Sequence, residues 1–325
     1  MKAVVYTRYG SPEVLQLKNI GKPAPAANEI LVKVYATTVN RTDNATIKGI
    51  PFFARLITGL FKPKRTTPGT EFAGQVEATG PGVTTLRVGD RVFGFDDQGS
   101  KAQAEFLAIP EIFATTIPDG IDFEQAAASS EGAHYARNFI NKVKIEPGMN
   151  ILVYGASGAI GSAMVQLLKA MDVTVTAVCG TRNIAKVKSL GADRVVDYLH
   201  EDVFRDAQRY EYAFDAVGKI SFFRCRHLIK RGGAYMSSDL GYLAQNMYLP
   251  LLTSVFKPLF GGKQALFPFP TDIPATLALV KKLIQENRFK ALIDSRYTLD
   301  QIVDAYRYVE KGHKTGNVVV TVIHG

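Results

Sequence analysis

The hydrophobic pattern changes character twice along the chain. Up to about residue 117, β-branched and aromatic residues gather in short runs: "KAVVYTR", "EILVKVYATTV", "FAGQVEATG" and "DRVFGF". Each is bounded by a Gly- or Pro-bearing break such as "GSP", "TGPGV" or "VGD". This punctuation predicts short strands in a coiled antiparallel β domain. A helix capped by Asp122 is predicted through Ala126, and a second around 132–143. From Asn150 strands and helices alternate. The strands are "NILVYG", "VTVTAVC", "RVVDY", "AFDAVG" and "GAYMSS". The helices between them are predicted at 159–170, 182–190, near 201–208 and at 221–230. That rhythm indicates βαβ units and a parallel sheet. "NMYLPLLTSVF" reads as a further apolar helix, "QALFPF" as a strand and "IPATLALVKKLIQENRF" as a strongly periodic helix. The tail returns to strands, "ALIDSRYTL" and "NVVVTVI", around a helix at 299–311. An α/β domain over 121–270 is therefore expected as an insertion in a β-rich domain built from 1–120 and 271–325.

One stretch at the start of the α/β part carries candidate chemistry: "ILVYGASGAIGSAM". Gly155 suits the sharp turn out of the strand. Gly158 suits close approach of backbone to a pyrophosphate, and Gly161 suits tight helix–strand packing. The helix start then offers unpaired N–H groups to an anion. A dinucleotide site normally places an acid at the end of the second strand for the ribose hydroxyls. Here Gly180, Thr181 and Arg182 follow instead, and the next acids, Asp193 and Asp197, come too late in the chain to close that strand. A hydroxyl and a guanidinium suit a 2′-phosphate, which predicts NADPH.

Charge adds to that picture. The net charge is +9, with two acid-free basic windows. One holds Lys48, Arg55, Lys62, Lys64 and Arg65; the other holds Lys219, Arg224, Arg226, Lys230 and Arg231. No nucleic-acid-binding motif accompanies them, so solvated basic faces or attraction of a polyanionic cofactor are the readings. No apolar run is long enough to span a bilayer, and no signal peptide is read at the start. With only Cys179 and Cys225 and no CxxC, a reducing cytoplasmic setting is expected.

"PGTEFAGQVEATGPGVTTLRVGDRVFG", "YGASGAIGSAMVQLLKAM" and "SLGADRVVDY" resemble the medium-chain dehydrogenase/reductases. The likeness is greatest to their zinc-free branch of quinone oxidoreductases and enone (alkenal) reductases. The resemblance implies a Rossmann doubly wound parallel sheet inserted in a GroES-like catalytic domain. It also implies NADPH-dependent hydride transfer to an apolar quinone or α,β-unsaturated carbonyl. Residue by residue it adds Ser157, Ala159, Ile160, Tyr198, Val217, Gly218, the stretch from Ser237 to Leu240, and Asn317 as cofactor contacts. Where the zinc enzymes of the superfamily carry metal ligands, this chain has Asn40, Thr70 and a segment containing Glu131. The five histidines show no ligand spacing, so no metal is expected. Asn40 is then the first candidate to touch substrate or nicotinamide, Thr42 a possible hydroxyl donor, and Asp43 part of a polar network. The apolar, basic stretch around Phe52, Phe53 and Phe61 is expected to wall the substrate pocket, with a membrane-surface helix as the alternative. An NADPH-binding protein with little catalysis is the competing functional reading. A homodimer is expected through the edge strand at Ala265–Phe267, ended by Pro268 and Pro270. The competing arrangement is a monomer whose helix 245–256 covers that edge.

Overall fold

A computed structural model describes residues 1–97, 101–270 and 272–322. The strands in chain order are β1 (Lys2–Val5), β2 (Gln16–Asn19), β3 (Glu29–Val39), β4 (Glu71–Thr79), β5 (Arg91–Phe95), β6 (Phe106–Pro110) and β7 (Ala114–Thr116). They continue with β8 (Asn150–Tyr154), β9 (Thr174–Cys179), β10 (Arg194–Asp197), β11 (Tyr210–Asp215), β12 (Ile229–Ser237), β13 (Gln264–Leu266), β14 (Ile293–Thr298) and β15 (Asn317–Thr321). The helices are α1 (Arg41–Lys48), α2 (Arg55–Thr58), α3 (Phe123–Ala127), α4 (Glu131–Ile140) and α5 (Ala159–Lys169). After them come α6 (Ile184–Ser189), α7 (Phe222–Cys225), α8 (Gln245–Val255), α9 (Ile273–Gln285) and α10 (Ile302–Glu310). None of the helices among the described residues is long and apolar enough to cross a membrane.

Two compact units result, one of residues 1–131 and 272–325, the other of 132–271. In the first, one sheet runs β14-β15-β3-β4-β5-β7, with β6 also paired to β3. The alternating apolar residues of β3 explain its central place: Ile30, Val32 and Val34 point into one core with Phe72, Val92, Val318 and Val320. The C-terminal β15 pairs with β3 in antiparallel register, Val318 opposite Val39 and Thr321 opposite Ala36. This unit continues past the expected limit at residue 120 because α3 belongs to it. Asp122 caps α3 by accepting from the Gln125 N–H, and α3 packs on β3 and β4.

The second unit is a six-stranded parallel sheet in the order β10-β9-β8-β11-β12-β13. Relative to the first strand of the unit that is 3-2-1-4-5-6, the doubly wound Rossmann order. Two helix expectations are corrected. The segment 221–230 forms only the short α7, because Ile229 already starts β12 opposite Tyr210. There the backbone must run close to β11: a Cβ on Gly233 would lie 2.1 Å from the Glu211 carbonyl oxygen. Near 201–208 there is a single 3₁₀ turn, Val203–Arg205.

The edge strand β13 is covered. Thr253 of α8 turns its hydroxyl to the strand and accepts from the Ala265 N–H at 2.9 Å. The central backbone donor on which the expected sheet-to-sheet dimer would rely is thus already bonded within the chain.

Candidate functional site

In the Rossmann unit the glycine turn behaves as its residue types require. Gly155 has φ +79°, and a Cβ there would lie 2.5 Å from the Val217 side chain. A Cβ on Gly161 would meet the Gly155 carbonyl oxygen at 2.2 Å. Gly158 is different: nothing but the Gly155 oxygen, at 3.6 Å, comes near its Cβ position. That open space above the helix start is what an incoming phosphate needs. Gly158 is the N-cap of α5, and Ser162 N–H bonds back to its carbonyl. The first-turn N–H groups of Ala159, Ile160 and Gly161 therefore have no acceptor inside the helix. Ser157, Gly158, Ala159 and Ile160 all keep partial exposure.

The loop after β11 is held from beneath by Asp215. Its buried carboxylate accepts from the N–H groups of Val217 (3.1 Å), Gly218 (2.9 Å), Lys219 (3.4 Å) and Ile220 (3.0 Å). Burial holds this carboxyl above its usual range, and the four N–H groups offset only part of that rise. Asp215 was not singled out in the sequence; four backbone donors converging on one oxygen pair are visible only once the loop is folded. Gly218 has φ +68° and packs against Asp239, whose own N–H bonds to the Ser237 hydroxyl at 3.2 Å. Leu240 follows and accepts from the Asn246 N–H.

At the second strand's end the sequence reading needs a correction. Thr181 and Arg182 are exposed, as a phosphate site requires, but a carboxylate lies beside them. β9 and β10 are parallel neighbours with Cys179 opposite Asp197. The Thr181 hydroxyl donates to Asp197 Oδ2 at 2.5 Å, and His200 Nδ1 lies 2.8 Å from the same oxygen. The Thr181 bond, and then His200, hold the Asp197 carboxyl below its usual range. Distance along the chain hid an acid that strand pairing brings alongside. Tyr198 is exposed and lies across Gly180, where a Cβ would sit 3.2 Å from its hydroxyl. A cavity of about 290 Å³ beside it is lined by Tyr154, Tyr198, His200, Phe204 and Arg224 among others.

The β-rich unit carries a buried polar network. Asn40 follows β3 and starts α1, where its N–H bonds to Asp43 Oδ2 at 2.8 Å. Its Nδ2 donates to Glu71 (2.9 Å) and Glu131 (3.0 Å), and its Oδ1 accepts from Lys314 Nζ at 3.0 Å. Thr70 donates to Glu131 Oε2 and Thr42 to Glu131 Oε1, each at 2.8 Å. Glu71 accepts from the Thr38 hydroxyl at 2.6 Å and from the N–H groups of Ser130 and Glu131 at 3.0 and 2.5 Å. Three buried carboxyls, Asp43, Glu71 and Glu131, thus lie in the field of one ammonium group, which itself bonds Asn40 Oδ1 and the Gly316 carbonyl. Burial, then the nearby Glu131, raises Glu71 to about 8. The same causes in the same order push Asp43 well up. Burial lowers Lys314 to about 8, against the pull of Glu131 and Glu71.

This placement revises the expected role of Asn40. Both of its amide hydrogens and its carbonyl oxygen are engaged inside the network, so it has little left to offer a substrate. Thr42 and Lys314 are the members that keep partial exposure. Lys314 had no local sequence signal, since its partner stands 274 residues away. Asn317 is buried, and its Nδ2 donates to Ala128 and Leu292 carbonyls at 3.1 and 3.3 Å. Thr70 also borders a cavity of about 190 Å³ with Gly69, Asp96, Lys101 and Leu107. Phe52, Phe53 and Phe61 are not among the residues lining it; they are 67, 59 and 90% exposed around α2.

Comparison with known proteins agrees with both units. The alcohol dehydrogenase GroES-like domain family matches residues 26–119, and the zinc-binding dehydrogenase family matches residues 190–320. An NADPH-dependent alkenal/one oxidoreductase of Arabidopsis thaliana is 30% identical over 336 residues, spanning 98% of this chain and 79% of its own. A chloroplast envelope quinone oxidoreductase homolog of the same plant is 30% identical over 335 residues, spanning 98% of each. The solved quinone oxidoreductase of Coxiella burnetii superposes with a TM-score of 0.86 at 25% identity over 99% of both chains. The chain belongs to the medium-chain dehydrogenase/reductase superfamily, in its quinone oxidoreductase branch. It is an oxidoreductase, and the nicotinamide cofactor of that class fits the open glycine turn of its Rossmann unit.

Proposed function

We propose that this protein is a zinc-independent, NADPH-dependent reductase of apolar quinones or α,β-unsaturated carbonyl compounds. The observation that carries the reading is the network around Glu131. A catalytic zinc takes three protein ligands of N, S or O type. Asn40, Thr70 and Glu131 stand at the ligand positions, and the first two donate hydrogen bonds to the third. A carboxylate already accepting from Asn40, Thr70 and Thr42 is a fixed part of the protein's own framework. Without a Lewis acid, alcohol oxidation is hard, whereas reduction of an activated C=C or a quinone needs only hydrogen bonds to the developing oxyanion.

When bound, NADPH supplies the hydride. The first turn of α5 and the loop pinned by Asp215 hold its phosphates, and Arg182 receives the 2′-phosphate, joined by Thr181 once its hydroxyl turns away from Asp197. A mycobacterial relative, 25% identical with a TM-score of 0.80, was solved with NADPH, which supports this choice. In the β-rich unit Asn40 acts through Glu131, and Thr42, which is partly exposed, meets the substrate oxygen by turning its hydroxyl away from Glu131 Oε1. The exposed rings of Phe52, Phe53 and Phe61 offer apolar surface for a bulky substrate.

The test is NADPH oxidation against a panel of quinones, 2-alkenals and enones, with and without a chelator. Turnover of at least one class, unchanged by the chelator, is expected. No turnover with any class, or turnover lost on chelation, rejects the reading. Cofactor choice is checked separately. Losing a charge-assisted hydrogen bond costs about 1.5–3 kcal/mol. Arg182→Ala should therefore weaken NADPH roughly ten- to hundredfold and leave NADH unchanged, as read by cofactor fluorescence titration. Equal losses for both cofactors would place the 2′-phosphate elsewhere.

A further inference from the structure

We propose that the outer face of α8, with the turn that follows it, is a docking surface for an anionic lipid bilayer. α8 is amphipathic in an unusual sense. Its inner stripe of Asn246, Leu249 and Thr253 is buried against the Rossmann sheet, and Leu249 joins the core there. Its outer stripe is apolar too. Met247, Tyr248, Leu251, Leu252, Val255 and, in the next turn, Leu259 are between 41 and 78% exposed. Their spacing puts them along one side of a helix. A continuous exposed apolar band of this kind marks an interaction surface.

Charge decides which kind. Residues 216–271 contain seven Lys and Arg and a single acid, Asp239. Four of the cations gather at the turn after α8. Lys263 Nζ donates to the Arg226 carbonyl at 2.8 Å, and the Arg231 side chain lies 3.1 Å from the Cβ position of Gly262. Lys257 is exposed in the turn itself. Among the described residues none of these four is in an ion pair. The ammonium of Lys263 is pulled down by burial and then by Arg209 and Arg226, which reports a positive field there. Exposed Phe223 joins the same end through the Phe260 ring, 6.3 Å away. Two copies of the chain meeting through this band would bring like charges together. An anionic bilayer offers the opposite charge beside an apolar interior, with the Tyr242 and Tyr248 rings suited to the headgroup level.

Vesicle co-sedimentation tests this without reference to catalysis. The wild-type chain should partition onto phosphatidylglycerol-containing vesicles at least about tenfold more than onto pure phosphatidylcholine. The excess should collapse at about 0.5 M salt. Leu251→Glu with Leu259→Glu should abolish sedimentation, and Arg226→Glu with Lys263→Glu should remove the preference for anionic lipid. Leu251, Leu259 and Arg226 are exposed and Lys263 is partly so, and melting curves of both variants against the wild type check that neither change unfolds the chain. Equal partition onto the two vesicle types overturns the proposal, as does binding that survives the Leu251/Leu259 change. So does a wild-type dimer that this change turns into a monomer while no vesicle is bound, because the face would then belong to a second copy.

Discussion

Replacing Lys314 by methionine should lower stability more at pH 8 than at pH 5, by less than the roughly 3–5 kcal/mol of a fully charged buried pair, because the ammonium is itself half titrated at pH 8. The ammonium is the cation in direct contact with Asn40 amid three buried carboxyls. At pH 8 Glu71 is half ionised and Glu131 stands beside it, so a neutral side chain leaves buried negative charge without a counter-ion. At pH 5 Glu71 holds its proton and the loss is milder. The wild type should carry a related signature. Glu71 rises from 4.5 to about 8 on folding, so between those values the native state holds a proton the unfolded chain has released. Its contribution is full below pH 4.5 and is lost as pH climbs to 8. Lys314 falls from 10.5 to about 8, so between 8 and 10.5 the unfolded chain holds the extra proton and stability recovers. The cluster is therefore at its weakest near pH 8. Urea midpoints at pH 5, 8 and 10 for wild type, Lys314→Met and Glu71→Gln check this, with Glu71→Gln expected to flatten the decline below pH 8. A Lys314→Met midpoint equal to wild type at pH 8 would show that the ammonium does not balance the carboxyls.

Gly161→Ala should impair folding and cofactor binding together. The new methyl would lie 2.2 Å from the Gly155 oxygen and 2.8 Å from the Ala156 Cα, both backbone atoms at the strand end. Relief requires α5 to lift from β8, at about 1–3 kcal/mol, and the N–H groups at its first turn move with it. NADPH affinity should fall at least about tenfold, since a displacement of that size breaks several anion contacts at once. Gly158→Ala is the informative partner. Its methyl has open space and its φ of −77° suits any residue. It should melt like wild type, so any affinity it loses measures contact with the phosphate. Calorimetric melts with cofactor titration separate the two, and a Gly161→Ala protein with unchanged melting and affinity would mean the close approach is relieved without moving α5.

What the sequence made legible was local. The turn from Gly155 to Gly161 and the cap at Asp122 depend on residues within one or two turns of chain, and both could be read directly. The alternation of strands and helices from Asn150 onward was equally plain, because each element's period is its own. The contacts that define the site are not local. Asp197 reaches Thr181 only because β10 lies against β9 in register. Asn40 read as a substrate contact because Lys314 and Glu131, which engage its amide, lie far along the chain. Segment 221–230 has helical periodicity, yet pairing of Ile229 with Tyr210 and the tight passage at Gly233 take its second half into a strand. Propensity lost there to tertiary hydrogen bonding.

The pairing of β15 with β3 also has a consequence for how the molecule is made. The two strands are separated by some 280 residues, and the central sheet of the β-rich unit is incomplete until residue 321 has been synthesised. The Rossmann strands β8 to β13 are all in hand by residue 266. On a translating ribosome the inserted unit can therefore fold first, while Ala36–Val39 of β3, beyond the part of that edge held by β6, waits for its partner. Until β15 has been made, that stretch of β3 is an open strand edge on the nascent chain, the kind of surface that invites pairing with another chain.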